Sequence, residues 1–205
     1  MSDGSGDALA SRTGLPLAFR YLLDEFPRDR WTTKLDETAA FWLQMHGSFR
    51  GHQAHMDGLV SQWRANGDAV ALHRQLIPAL QSFLQHLDGH HRIESGQYFP
   101  MMRRIEPGVG AGLDLLDRDH DAIHETLEAL FRGGLAFHQA VTANAPDAAD
   151  RANWLSDLID QNARPLLRHL EDEEDIVIPL DPVARPARPG GADPKLSIKS
   201  ATGRI

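Results

Sequence analysis

Apolar residues recur at three- and four-residue spacing through four long stretches of the chain, the period of a helix that buries one face. The first stretch runs from about Lys34 to Ala65 and stops at the breaker "NGD". The second runs from about Ala69 to Arg104, with a bend expected at Pro78, and stops at "EPGVG". The third runs from near Gly112 to about Thr142, weakened midway by Gly133-Gly134. The fourth spans about Ala148 to Ile176, with a kink expected at Pro165 and an end before Pro179. No stretch alternates with the two-residue period of a strand.

Four such helices with short links predict an all-α chain, an antiparallel up-down four-helix bundle over residues 34–180. Residues 14–33, which contain "GLPLAFRYLLDEFPRDR", predict an extra N-terminal helical segment packed on the bundle. Residues 1–13 are small and polar and residues 181–205 are rich in Pro and Gly, so both ends are expected to be flexible.

The apolar faces are not continuous. The second reads Leu80, Phe83, Leu84, Leu87, His90, Glu94, Met101. The third reads Leu113, Leu116, His120, Ile123, Leu127, Leu130, and the fourth Leu155, Leu158, Leu166, His169, Glu173, Ile176. In each, ionisable side chains break the stripe around one level and the stripe resumes beyond them. Burying such groups unpartnered costs several kcal/mol each, so the breaks imply a shared partner. The pairs His90–Glu94, His120–His124 and His169–Glu173 are each spaced by one helical turn, with Cβ atoms about 5–6 Å apart. Both members of a pair can then converge on one cation, or on two adjacent ones.

Heights along the bundle agree with this. Residues equally far from a connecting turn lie side by side in an antiparallel hairpin. Glu94 and His120 are each 13 residues from Pro107, and His90 and His124 each 17. From the Ala145-Pro146 turn, His124 and His169 lie 21 and 23–24 residues away. On the first helix, His46 is 21 residues from Gly67 against 23 for His90, whereas His52 is only 15 away. Height therefore selects His46, while the phase of Trp42, Met45, Phe49, Met56 and Leu59 favours His52 as the alternative. The final carboxylate is Glu173 or Glu174, adjacent in "HLEDEEDIVIP".

Composition narrows the chemistry. The chain has eleven histidines and no cysteine, so a transition metal here must be held by imidazole and carboxylate, a set that suits iron, manganese or zinc. A formal charge of −8 argues against nucleic acid as partner. No apolar run approaches the length of a membrane span and "MSDGSGDALASR" lacks a signal-peptide core, so a cytoplasmic protein is expected. His91 either lines the site or donates a hydrogen bond from outside it. His52, His55, His73, His86 and His138 read as surface histidines and Trp42 and Tyr98 as packing, while the acidic run on the fourth helix is better explained by a nearby bound cation, with a solvated helix end as the alternative for Asp172 and Asp175.

The motifs "FWLQMHGSF", "GHHRIESGQYFP", "LLDRDHDAIH" and "RHLEDEEDIVIP" together resemble the hemerythrin-like family with its HHE cation-binding domain, over roughly residues 35–180. The resemblance implies a bundle enclosing two iron ions, joined by an oxo or hydroxo bridge and by carboxylates. Carried onto this chain, the implied ligands are His46, His90, Glu94, His120, His124, His169 and Glu173, with Glu94 and the last carboxylate bridging. It also implies a partner such as dioxygen, peroxide or nitric oxide. Reversible dioxygen binding is the leading expectation. The alternatives are an oxidase, peroxidase or nitric-oxide-handling enzyme at the same centre, and a sensing module.

Overall fold

The computed structural model describes residues 8–31 and 35–180, and among them every regular element is helical. They are α1 (Tyr21–Glu25), α2 (Glu37–Asn66), α3 (Ala69–Ile93), α4 (Phe99–Ile105), α5 (Gly110–Thr142) and α6 (Ala148–Val177). No described helix is long and apolar enough to cross a membrane. The expected tail at 181–205 lies outside the described residues, as do residues 1–7.

Local chemistry sets the ends of these helices. The Asp36 side chain accepts from the Ala39 N–H at the start of α2, and Asp68 accepts from the Ala71 N–H at the start of α3. Each satisfies a donor that has no partner within its own helix. Gly67 closes α2 at φ 67°, a left-handed conformation that only glycine adopts without steric penalty, and its N–H reaches the Trp63 carbonyl. Asn144, also at positive φ, closes α5, where the Ala145 N–H bonds back to the Ala140 carbonyl.

Two prolines are accommodated within helices. Pro78 and Pro165 both lie inside continuous helices. Gly133 and Gly134 are buried within α5, where a Cβ on Gly134 would come within 2.8 Å of Leu80 Cδ2. Glycine here lets α3 approach α5 closely. The interruption on the second stretch comes at a π-helical turn, Glu94–Tyr98, joining α3 to α4. The Phe99 N–H bonds to the Glu94 carbonyl five residues back, one residue before Pro100, which lacks an N–H and crowds the preceding turn.

The four long helices pack in the cyclic order α2, α3, α5, α6. Their buried apolar residues form two separate clusters. One contains Phe49, Met56, Leu76, Leu87, Ile123, Leu130, Leu155 and Leu170, and the other Trp42, Phe99, Met102, Leu113, Leu116 and Ile176. Along α2 the chain passes from the second cluster to the first, along α3–α4 from first to second, and it repeats that alternation along α5 and α6. Between the clusters lies a buried layer of His46, His91, Glu94, His120, His169 and Glu173.

The N-terminal segment covers the second cluster, with Leu15, Leu22, Leu23 and Trp31 buried against it. Of the expected loose stretch 1–13, residues 8–13 are among those described. Leu9 and Arg12 are buried, Leu9 by its place in the first apolar cluster and Arg12 by two carboxylates inside the bundle.

Candidate metal centre

α3 brings three groups to the layer. His90 and His91 are adjacent, hence about 100° apart on the helix, and they straddle its inward line. His90 faces α2, with its ring 5.4 Å from that of His46, while His91 stacks on His120 of α5 at 4.1 Å. Glu94, one turn on, opens the π turn and is buried. Its Oε1 lies 2.7 Å from His90 Nε2 and its Oε2 lies 3.5 Å from His120 Nε2. One carboxylate therefore faces both neighbours.

α6 supplies His169 and Glu173, one turn apart. Glu173 Oε1 accepts a 2.8 Å hydrogen bond from the Trp42 indole. Its Oε2 is left 3.4 Å from His169 Nε2 and 3.6 Å from His46 Nε2. Potential ligand atoms of His46, His90, Glu94 and Glu173 all lie within 4.8 Å of one another, and those of His91, His120 and His169 form a second such group. Glu94 and Glu173 reach from the first group to histidines of the second.

Three of the histidines are oriented from behind. His46 Nδ1 lies 3.0 Å from Glu174 Oε1. His120 Nδ1 lies 2.9 Å from Ser95 Oγ, whose own proton goes to Asp117 Oδ1, so the serine oxygen is the acceptor. His169 Nδ1 lies 3.5 Å from Asp119 Oδ2. With Nδ1 engaged outward, each ring turns Nε2 inward, the orientation a metal-binding imidazole requires.

The inward atoms form one set without hydrogen-bond partners. Nε2 of His46, His90, His91, His120 and His169, both oxygens of Glu94 and Oε2 of Glu173 are buried and unpaired. Each such atom costs about 1–3 kcal/mol when left unsatisfied, so their concentration at one level needs a common ligand. Five imidazoles and two carboxylates suit a cation of the iron, manganese or zinc type, and the residues fit the group that the sequence implies.

Electrostatics agree. Burial pushes His90 down to about 4 and His120 down to about 3, and it holds His91 well below the usual range, so all three are neutral donors near pH 7. Burial works against a charge on His169 too, but the neighbouring carboxylates of Asp119 and Glu173 outweigh it and raise the group to about 9. Glu94 is pushed well above the carboxylate range by burial and by the nearby Glu173. Burial also opposes the charge on Glu173, but His46 and His169 overcome it and hold Glu173 well below that range.

Of the residues expected at the site, His46, His90, Glu94, His120, His169 and Glu173 come together, and His124 does not. Its side chain is 54% exposed, with Nδ1 3.5 Å from Asp88 and Nε2 3.5 Å from Glu128. The inner face of α5 runs Leu116, His120, Ile123, Leu127, and His124 lies a further 100° round from Ile123. Its height matches and its direction does not. His91, left open between lining the site and supporting it from outside, is buried beside His120, and a signal for this was present, because the buried positions Leu76, Leu80, Leu87 extend by four to His91. The alternative His52 is exposed, with Nδ1 on the Ser48 carbonyl at 2.9 Å.

The acidic run on α6 is not a solvated helix end. Asp172, Glu173, Glu174 and Asp175 are all buried. Asp172 pairs with Arg12 at 2.7 Å and Arg168 at 2.6 Å, Glu174 with Arg50 at 2.7 Å, and Asp175 with Arg28 at 2.7 Å. Four consecutive residues point around the whole helix, and the N-terminal segment covers the side that would otherwise meet water. Trp42, expected only as packing, also orients a candidate ligand.

The sequence profile of the family described as Hemerythrin HHE cation binding domain matches residues 37–180, from the first turn of α2 to the end of the described chain. No curated protein and no solved structure matches the chain.

Proposed function

The chain belongs to the hemerythrin HHE cation-binding family, and from that footing we propose that its buried layer holds two iron ions and binds dioxygen or a related small ligand. The metal-binding helical character follows from the family. The iron pair, its ligands and its small-molecule partner are our reading. One ion would be held by His46 and His90, the other by His91, His120 and His169, with Glu94 and Glu173 shared. Bound there, a ferrous pair would supply electrons and an open coordination position to a small oxidising ligand.

The observation that carries the reading is the set of eight inward-facing polar atoms that no hydrogen bond satisfies. The two oxygens of Glu94, each facing a histidine of a different group, favour two ions over one. The residues of the chain hold five imidazole nitrogens in place around the layer. Trp42 fixes one oxygen of Glu173 and leaves the other for the ions. The apolar clusters above and below keep bulk water from the layer.

The same proposal includes an antiparallel up-down course for α2, α3, α5 and α6, supported by the alternate passage of the chain between the two clusters. It also takes residues 34–180 as the functional domain.

The experiment is anaerobic loading with ferrous iron, followed by exposure to dioxygen. The expected result is two irons per chain and an optical change that reverses when oxygen is removed. Irreversible oxidation in the first exposure would reject reversible binding. Sustained turnover of peroxide with a reductant would assign the centre to an enzyme instead.

A further inference from the structure

The stretch that matches the family starts at residue 37, yet part of the layer's surroundings comes from before it. Arg12 enters the bundle from the N-terminal segment and is 3% exposed. Its NH1 and NH2 grip both oxygens of Asp119, the NH1 contact being 3.1 Å, while Nε reaches Asp172 Oδ2 at 2.7 Å. Asp119 is itself buried, and the oxygen held by NH2 is the one facing His169 Nδ1 at 3.5 Å. A chain of contacts thus runs from the N-terminal segment through Asp119 to a candidate ligand.

Resting on the reading of the layer as a metal centre, we propose that Arg12 is a positioning residue of that centre: by clamping Asp119 it fixes the carboxylate that orients His169. Anchoring alone explains the arrangement poorly. A buried ion pair is a weak anchor compared with apolar packing, and Leu9 and Leu15 already fix the segment on either side. A forked guanidinium does something that apolar packing cannot. It holds both oxygens of Asp119 in one plane and neutralises its charge, so the carboxylate neither swings away nor takes up a proton. His169 Nδ1 then has one acceptor in one place, and Nε2 is held toward His91 and His120.

The other histidines differ in a way that makes the effect selective. Glu174, behind His46, pairs with Arg50 of α2, and Ser95, behind His120, bonds to Asp117 of α5. Neither support involves Arg12, although Glu174 also has Arg28 of the N-terminal segment at 3.6 Å. Only the Asp119–His169 support depends on Arg12 for its charge partner among the contacts described here.

The test uses the full chain, stripped of metal and titrated with cobalt(II), with thermal unfolding recorded in parallel. Wild-type protein is expected to bind two ions. In Arg12→Met the ion at His91, His120 and His169 is expected to bind about 10–100-fold more weakly, the usual effect of losing a ligand's outer partner. The ion at His46 and His90 should change by less than about 3-fold, and Arg12→Lys should recover part of the loss. Asp119→Asn, which keeps the shape and removes the clamped charge, should give the same selective loss and serves if Arg12→Met does not fold. Unchanged cobalt affinities in either variant, whatever happens to the melting temperature, would overturn the role of Arg12 and leave the metal reading intact. Wild-type protein that binds no cobalt would remove both.

Discussion

The indole Nε1 of Trp42 donates a 2.8 Å hydrogen bond to Oε1 of Glu173, and the other carboxylate oxygen, Oε2, has no hydrogen-bond partner. An aromatic residue that belongs to one apolar cluster thus decides which oxygen of a carboxylate faces the polar layer. Trp42→Phe keeps most of the packing and removes the donor. Its expected effect is a loss of about 10–100-fold in metal affinity, with the metal-free protein destabilised by only about 1–3 kcal/mol. Isothermal titration and chemical denaturation separate the two. Unaltered affinity would show that Glu173 needs no such support.

Replacement of single histidines distinguishes height from direction. His91→Ala is expected to reduce the metal content from two ions per chain to about one, whereas His124→Ala should leave two, because His124 lies among Asp88 and Glu128 at the surface. Metal analysis after dialysis checks both. Loss of an ion in His124→Ala would reverse the assignment.

The pH dependence of metal uptake follows from His169, which is raised to about 9 and so holds a proton near neutral pH without metal. A cation must displace that proton, so binding acidifies the solution and affinity rises as pH climbs toward about 9. His90 and His120, at about 4 and about 3, are already neutral and add no slope in that range. Zinc titrations in weak buffer with a pH indicator measure the release. A flat affinity between about pH 6 and about pH 9 would contradict this assignment.

Chelation should cost stability. Ions that bind only the folded chain add about 2.7 kcal/mol per site at about 100 times Kd, and removing them exposes the unsatisfied polar layer to its full penalty. Calorimetry of loaded and chelated protein is expected to show a clearly lower melting temperature for the latter. Identical midpoints would mean that the layer is satisfied in some other way.

Much of this was legible in the sequence, for a physical reason. Helix periodicity and the distance of each residue from a turn are arithmetic properties of the chain, so the helices and the common height of His46, His90, Glu94, His120, His169 and Glu173 could be read from it. Direction around a helix is harder, because spacings of three and four alternate and the phase drifts. That is why His124 was expected inside, and why His91, one residue from His90, remained open. The π turn from Glu94 to Tyr98, just before Pro100, was not legible in the apolar spacing. The ion pairs of Arg12 and Arg28 with the acidic run were not legible, because they join residues over 140 positions apart. No spacing rule connects these.

Location of the ions themselves tests the central claim most directly. Crystals of the iron-loaded protein, measured at the iron absorption edge, should show two anomalous peaks about 3–4 Å apart. One should lie beside His46 and His90 and the other among His91, His120 and His169, with Glu94 between them. A single peak, or none in the layer between the two apolar clusters, would contradict it.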